Sequence, residues 1–166
     1  EKAFLVRSFE KTLGEVLMMR EREGREIAKE LRSRLARIGQ IARRVEKRHK
    51  MQPALIKEKL RKRLKELSRE APLSEEKLTE ETFFYAQRFD LAEEMMRLRS
   101  HLDYSLKLIS PARQEPVGKK LDFVCQELYR EANTINSKSQ DFEIIKESLS
   151  IKGEVESIRQ QLQNIE

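Results

Sequence analysis

VGKKLDFVCQELYREANTINSK, residues Val117–Lys138, alternates apolar and polar side chains in a helical rhythm. Leu121, Val124, Cys125, Leu128, Ala132 and Ile135 recur at three- and four-residue steps, the spacing of one buried helix face. At about 100° per residue, Asp122, Gln126 and Asn133 fall on one flank of that stripe, and Glu127 and Glu131 on the other. Glu131 sits close to the apolar stripe itself, where a carboxylate is costly unless paired or bound to a metal. The stretch therefore predicts a helix over 119–136 with a candidate site along its edge.

The rest of the chain continues in the same style. Residues 2 to about 51 read as one long helix, with a bend expected at Gly14 or Gly24. Leu13, Val16, Leu17, Ile27, Leu31, Leu35, Ile38, Ile41 and Val45 keep its helical spacing. Pro53 predicts a break, and Ala54–Arg69 a separate, strongly basic helix. Ala71–Leu78 (APLSEEKL) reads as a link, and Glu75–Ile109 as one further long helix. Ser110–Gly118 (SPARQEPVG), with two prolines and a glycine, is the clearest loop. Asn136–Ser139 supplies a turn before a last helix over about 140–164. No strand pattern of useful length appears. The expected fold class is all-α, long amphipathic helices in a hairpin or bundle arrangement that assembles into an oligomer. Two regions follow, a basic long-helix region over 1–70 and a C-terminal helical domain with the acidic motifs over 71–166. The opening EKAFLVRSF enters in mid-helix, so a further N-terminal domain is expected before it.

Composition narrows the function classes. Charged residues make up 39% of the 166 and aromatic residues 6%, which leaves little material for a β-sandwich or a doubly wound sheet. The net charge of +6 is unevenly spread. Residues 1–70 hold 22 Lys and Arg against 11 Asp and Glu, while residues 71–166 hold 13 against 18. One half suits a polyanion and the other a cation, unless the halves simply attract each other. A single cysteine excludes an intrachain disulfide and a zinc-type cysteine cluster, and Cys125 lies on the apolar stripe as a structural thiol. No apolar run approaches the roughly 20 residues that span a bilayer. A cytoplasmic protein without membrane contact is expected.

A second motif, FDLAEEMMRLRSHL (Phe89–Leu102), places Asp90, Glu94, Arg97 and His101 at steps of 4, 3 and 4, opposite Leu91, Met95, Leu98 and Leu102. Carboxylates and an imidazole in one stripe make half a site for a divalent cation. The plainer alternative is a ladder of i,i+4 pairs, with Arg97 bridging Glu93 and Glu94. His101 suits a metal ligand, a general base or a capped surface residue. His49, in RRVEKRHKM, reads as an exposed member of the basic run. The basic element Arg43–Lys65 would follow a flexible polyanion through phosphate contacts. Phe83, Phe84, Tyr85 and Phe89 crowd into seven residues; most should form core, leaving one or two for a base or a subunit. On the residues alone the chain is basic, helical and nucleic-acid-associated, with a clustered acidic site.

GKKLDFVCQELYREANTINSKS and the closing IRQQLQNIE, together with MREREG (Met19–Gly24) and FDLAEEMMRLRSHL, resemble in order the motifs of the bacterial YicC/YloC family of endoribonucleases. Lys119 stands where that family usually has Arg, and Tyr129 where it has Asn. The resemblance implies an endoribonuclease acting on RNA, in a homo-oligomer such as a hexamer. Under it, Asp90, Glu94, His101, Glu127 and Glu131 are the candidate ligands of Mn²⁺ or Mg²⁺, with Asp122 behind them. His101, Glu127 and Glu131 are the candidate catalytic residues. Arg97, Lys119, Lys120, Arg130, Asn133 and Lys138 are the candidate RNA contacts, joined by the Thr134 and Ser137 hydroxyls. The alternative is a non-catalytic helical RNA adaptor, in which Glu127 and Glu131 are used up in ion pairs with Arg130, Arg159 or Lys138.

Overall fold

The computed structural model describes residues 2–67, 75–110 and 116–163. These form five α-helices and no strand: α1 (Lys2–Leu67), α2 (Glu75–Arg88), α3 (Ala92–Leu108), α4 (Gly118–Lys138) and α5 (Phe142–Gln163). The 66 residues of α1 extend about 100 Å at the usual helical rise. Its middle third, α3, α4 and α5 close around one core.

Cross-links fix the directions. Arg34 and Arg37 reach Glu154 at 3.1 and 3.3 Å, Arg44 reaches Glu147 at 2.6 Å, and Arg48 reaches Asp141 at 2.8 Å. As α1 advances α5 retreats, so the two are antiparallel. Lys138 on Glu94 sets α4 against α3, and Arg159 on Asp122 sets α5 against α4, both antiparallel. Part of the charge asymmetry is therefore internal: the basic face of α1 is clamped to the acidic face of α5.

Each helix buries the stripe that its spacing marks. Leu31, Leu35, Ile38, Ala42 and Val45 of α1 meet Leu98 and Leu102 of α3 and Ile151, Val155 and Ile158 of α5 in the core. From α4 come all six expected positions, Leu121, Val124, Cys125, Leu128, Ala132 and Ile135. A fully buried Leu or Ile contributes about 1.5–3 kcal/mol, so Ile135→Ala is expected to cost about 2–5 kcal/mol with its cavity. Burial pushes the Cys125 thiol up to about 12, which leaves it a packing group. The first turns of α1 differ: Leu13, Val16 and Leu17 keep helical spacing but stay exposed, and packing begins near Ile27.

Two expected boundaries are corrected. Pro53 does not break the chain, and α1 runs through it as it does through Gly14 and Gly24. A proline inside a helix loses one hydrogen bond and crowds the preceding turn, at about 3 kcal/mol. Here α1 packs against α2 and the α2–α3 connection around Pro53, with His49 3.4 Å from Asp90 and with Gln52 and Ile56 lining a cavity that Phe83, Gln87 and Phe89 also line. The expected helix over 75–109 is two helices, parted at Phe89–Leu91. Asp90 Oδ1 accepts the Ala92 N–H at 2.9 Å, a local bond that competes with helix continuation and starts α3 afresh. The last turn also shifts. Asp141 Oδ1 accepts the N–H groups of Glu143 (2.9 Å) and Ile144 (3.4 Å), so α5 begins at Phe142. The link at 71–74, most of the expected loop (111–115), residues 68–70 and the final 164–166 lie outside the described residues.

Candidate functional site

Between α3 and α4, ligand-capable atoms of His101, Glu127 and Glu131 lie within 4.8 Å of one another. Among the described residues this is the one group of three or more such side chains. The glutamates sit one turn apart on α4, and α3 brings the imidazole across to them. Glu131 is 4% exposed, His101 and Glu127 half-buried, so the group opens to solvent along one side.

Charge compensation here is incomplete. Arg97 Nη1 stands 3.9 Å from Glu131 Oε1, at the outer limit of an ion pair, while its other arm is taken by Glu93. Burial pushes the Glu131 carboxyl above the ordinary carboxylate range; Glu94 and Glu127 push the same way, and Arg97 and His101 oppose them. Glu127 pairs with the exposed Arg130 at 3.1 Å. A turn beyond Arg97 toward the start of α3, Glu94 is buried and receives Lys138 Nζ on Oε1 at 2.7 Å, while its Oε2 is buried with no hydrogen-bond partner.

These features fit a small divalent cation. Two ligand atoms about 2.1 Å from one ion stand roughly 3 Å apart at right angles and about 4.2 Å apart when opposite. Small rotamer shifts would bring the three donors into that range, and one imidazole with two carboxylates could hold a divalent metal ion.

The remaining expected residues divide. Arg97, Arg130 and Lys138 border the group, the last as the counter-ion of Glu94. Lys120 is exposed on the Glu127–Glu131 face of α4, two turns before Glu127, and Lys119 is its exposed neighbour. Asp90 is not brought to the group. It accepts the Ala92 N–H ahead of α3 and lies 3.4 Å from His49, because the helix does not run through residues 89–91 and its i,i+4 relation to Glu94 is lost. Asn133 faces α5, where Lys152 donates to it at 3.1 Å. Asp122 is held there by Arg159 at 3.0 Å and Gln126 at 2.8 Å. Thr134 and Ser137 donate their hydroxyls to carbonyls of their own helix. Arg97 pairs with Glu93, one member of the i,i+4 ladder that the spacing offered as the plainer alternative.

No helix among the described residues is long and apolar enough to cross a membrane. The family described as Endoribonuclease YicC-like, C-terminal matches residues 45–166. A protein of Clostridioides difficile (strain 630) named "Probable endoribonuclease YicC" is 33% identical over 165 residues, covering 99% of this chain and 56% of that protein. One of the same name from Haemophilus influenzae (strain ATCC 51907 / DSM 11121 / KW20 / Rd) is 34% identical over 165 residues, covering 98% and 55%. The chain thus spans about half the length of the curated relatives it matches. MREREG lies upstream of the family match but inside both pairwise alignments, which cover nearly all of the chain. On these matches the chain belongs to the endoribonuclease YicC-like family.

Proposed function

We propose that this protein is a metal-dependent endoribonuclease that cleaves RNA phosphodiester bonds in bacterial RNA turnover. The observation that carries the reading is the convergence of His101, Glu127 and Glu131 beside an undercompensated buried carboxylate. The names of the two relatives supply the substrate class. His101, Glu127 and Glu131 would hold the cation, Mn²⁺ or Mg²⁺. A divalent ion held there lowers the pKa of a bound water and offsets charge at phosphorus. The chain's own cations then orient the RNA. Arg97 and Arg130 border the acidic group, and on exchanging Glu93 or Glu127 for the substrate each guanidinium could take phosphate oxygens. Lys119 and Lys120 extend the same positive edge along α4. The half-buried His101 is also placed to move a proton at the leaving oxygen or at a 2′-hydroxyl.

The reading includes a cytoplasmic homo-oligomer, such as a hexamer. It is supported by nine large apolar side chains exposed between Phe4 and Met19, more than an isolated helix keeps in water. A second reading, a non-catalytic helical RNA adaptor, is favoured by one observation, the Glu127–Arg130 pair.

One experiment separates them: cleavage of a labelled RNA by the purified protein in Mn²⁺, Mg²⁺ or EDTA, beside Glu127→Gln and His101→Ala of matched oligomeric state. Cleavage that needs metal and disappears in both variants is expected. Cleavage that survives EDTA but needs His101 would replace the metal route with attack by the 2′-hydroxyl. Variants that lose assembly while the wild type cleaves nothing would favour the adaptor.

A further inference from the structure

A cavity of about 360 Å³ opens where α1 meets α2 and the α2–α3 connection, away from the acidic group. Its apolar wall is made by Ile56, Phe83 and Phe89, and Phe83 stays 63% exposed. Gln52 and Gln87 add two side-chain amides. His49 lines it as well. His49 Nε2 stands 3.4 Å from both the Leu91 N–H and the Asp90 carboxylate, and Nδ1 is buried without a hydrogen-bond partner. A buried ring nitrogen left unpaired is costly, whether it donates or accepts.

The surroundings limit what that molecule is. Lys50 and Lys59 are exposed on the flanks of the α1 face that lines the cavity and Arg43, Lys47 and Lys62 on its far side, so a polyanion is drawn along this part of α1, although Asp90 adds a carboxylate to the lining. The volume stands at the low end for a ligand pocket and takes one flat ring, not a helix. An aliphatic side chain from a protein partner would fill the apolar wall but leave the amides and the imidazole unpaired. A nucleobase offers a face for an aromatic ring and an edge of donors and acceptors for amides.

We propose that this cavity receives one unpaired base of an RNA strand whose phosphates follow the basic side of α1. Phe83 supplies the stacking face, and Gln52 and Gln87 meet the base edge. Because an amide both donates and accepts, the pocket favours the presence of a base over one particular base. The proposal rests on the reading of the protein as one that acts on RNA, and adds a substrate contact remote from the acidic group.

The test uses fluorescence anisotropy in EDTA with a single-stranded RNA of about 12 nucleotides, and with an oligomer of equal charge carrying abasic residues at its centre. The wild type is expected to bind the base-bearing strand about tenfold more tightly than the abasic one. Phe83→Ala is expected to abolish that preference and keep the salt dependence. Being exposed, Phe83 can be shortened without opening the core; Gln87→Ala, expected to weaken the preference about threefold, is the second probe. Equal binding of the two strands by the wild type, or a preference that survives both variants, overturns the proposal. Failure to bind either strand overturns it together with the RNA reading. A preference in a protein that cleaves nothing in Mn²⁺ supports the pocket and removes the nuclease, whereas cleavage without a preference removes the pocket alone.

Discussion

The two flanks of α4 carry the same kinds of side chain and end in opposite electrostatic states. On the flank facing α5, the polar groups are partnered: Asp122 by Arg159 of α5 and by Gln126 of its own helix, and Asn133 by Lys152, which also lies 4.7 Å from the Tyr129 ring. On the flank facing α3, Glu127 pairs with Arg130 and the buried Glu94 with Lys138, but Glu131 meets an imidazole and two other carboxylates, and its guanidinium, Arg97, stands 3.9 Å away. The first flank is a clasp. The second keeps unspent negative charge, which is what a cation site needs. Composition does not separate the two; the facing helix does.

The sharpest way to break this contrast is cleavage. Glu131→Gln is expected to lower metal-dependent RNA cleavage by more than about a hundredfold, since it removes a cation ligand. Asp122→Asn on the other flank should change it less than about threefold. Comparable losses in the two variants would erase the distinction.

A smaller effect appears in metal affinity. Protons compete with the cation for Glu131, whose carboxyl is raised by burial. Mn²⁺ binding followed by calorimetry should therefore weaken as pH falls toward the raised value of that carboxyl. Glu131→Gln should show a weaker residual affinity with a flatter pH profile.

Stability without metal should move the other way. A raised carboxylate favours the folded state most below its ordinary value of 4.5, and that contribution fades as pH rises through the raised value. At neutral pH Glu131 is thus a buried charge that opposes folding. In metal-free buffer Glu131→Gln is expected to raise the Tm by about 3 °C, the equivalent of about 1 kcal/mol, and to lose that gain as pH falls toward the ordinary carboxylate range. A Tm that drops at neutral pH would show that Glu131 belongs to a stabilising pair after all.

The smallest effects belong to the clasp. Arg159→Ala and Lys152→Ala should each cost about 0.5–1 kcal/mol in chemical denaturation, the scale of partly exposed ion pairs and cation–π contacts. Cleavage should not follow either loss.

Much of this was legible from local spacing. The six apolar positions of α4 are all buried, and its polar residues separate onto the two flanks that the 100° step assigns. His101, Glu127 and Glu131 were all named from the sequence, and they are the three that converge. Asp90 shows where the method stops. Its spacing from Glu94 presumes a helix that its own side chain interrupts at Ala92. Pro53 fails for the opposite reason, since contacts from α2 and the α2–α3 connection hold a helix that local chemistry would break. The pocket left no periodic trace, because its walls come from stretches of chain some 30 residues apart.

The sequence by itself determined the all-helical class, the buried faces and the supply of carboxylates, because each depends on neighbours within one or two turns. Tertiary structure alone decided which carboxylates are neutralised. Lys138 finds Glu94 across 44 positions, and Arg159 finds Asp122 across 37. Such pairings depend on which helices lie side by side, and helical periodicity says which face is buried without saying what it is buried against.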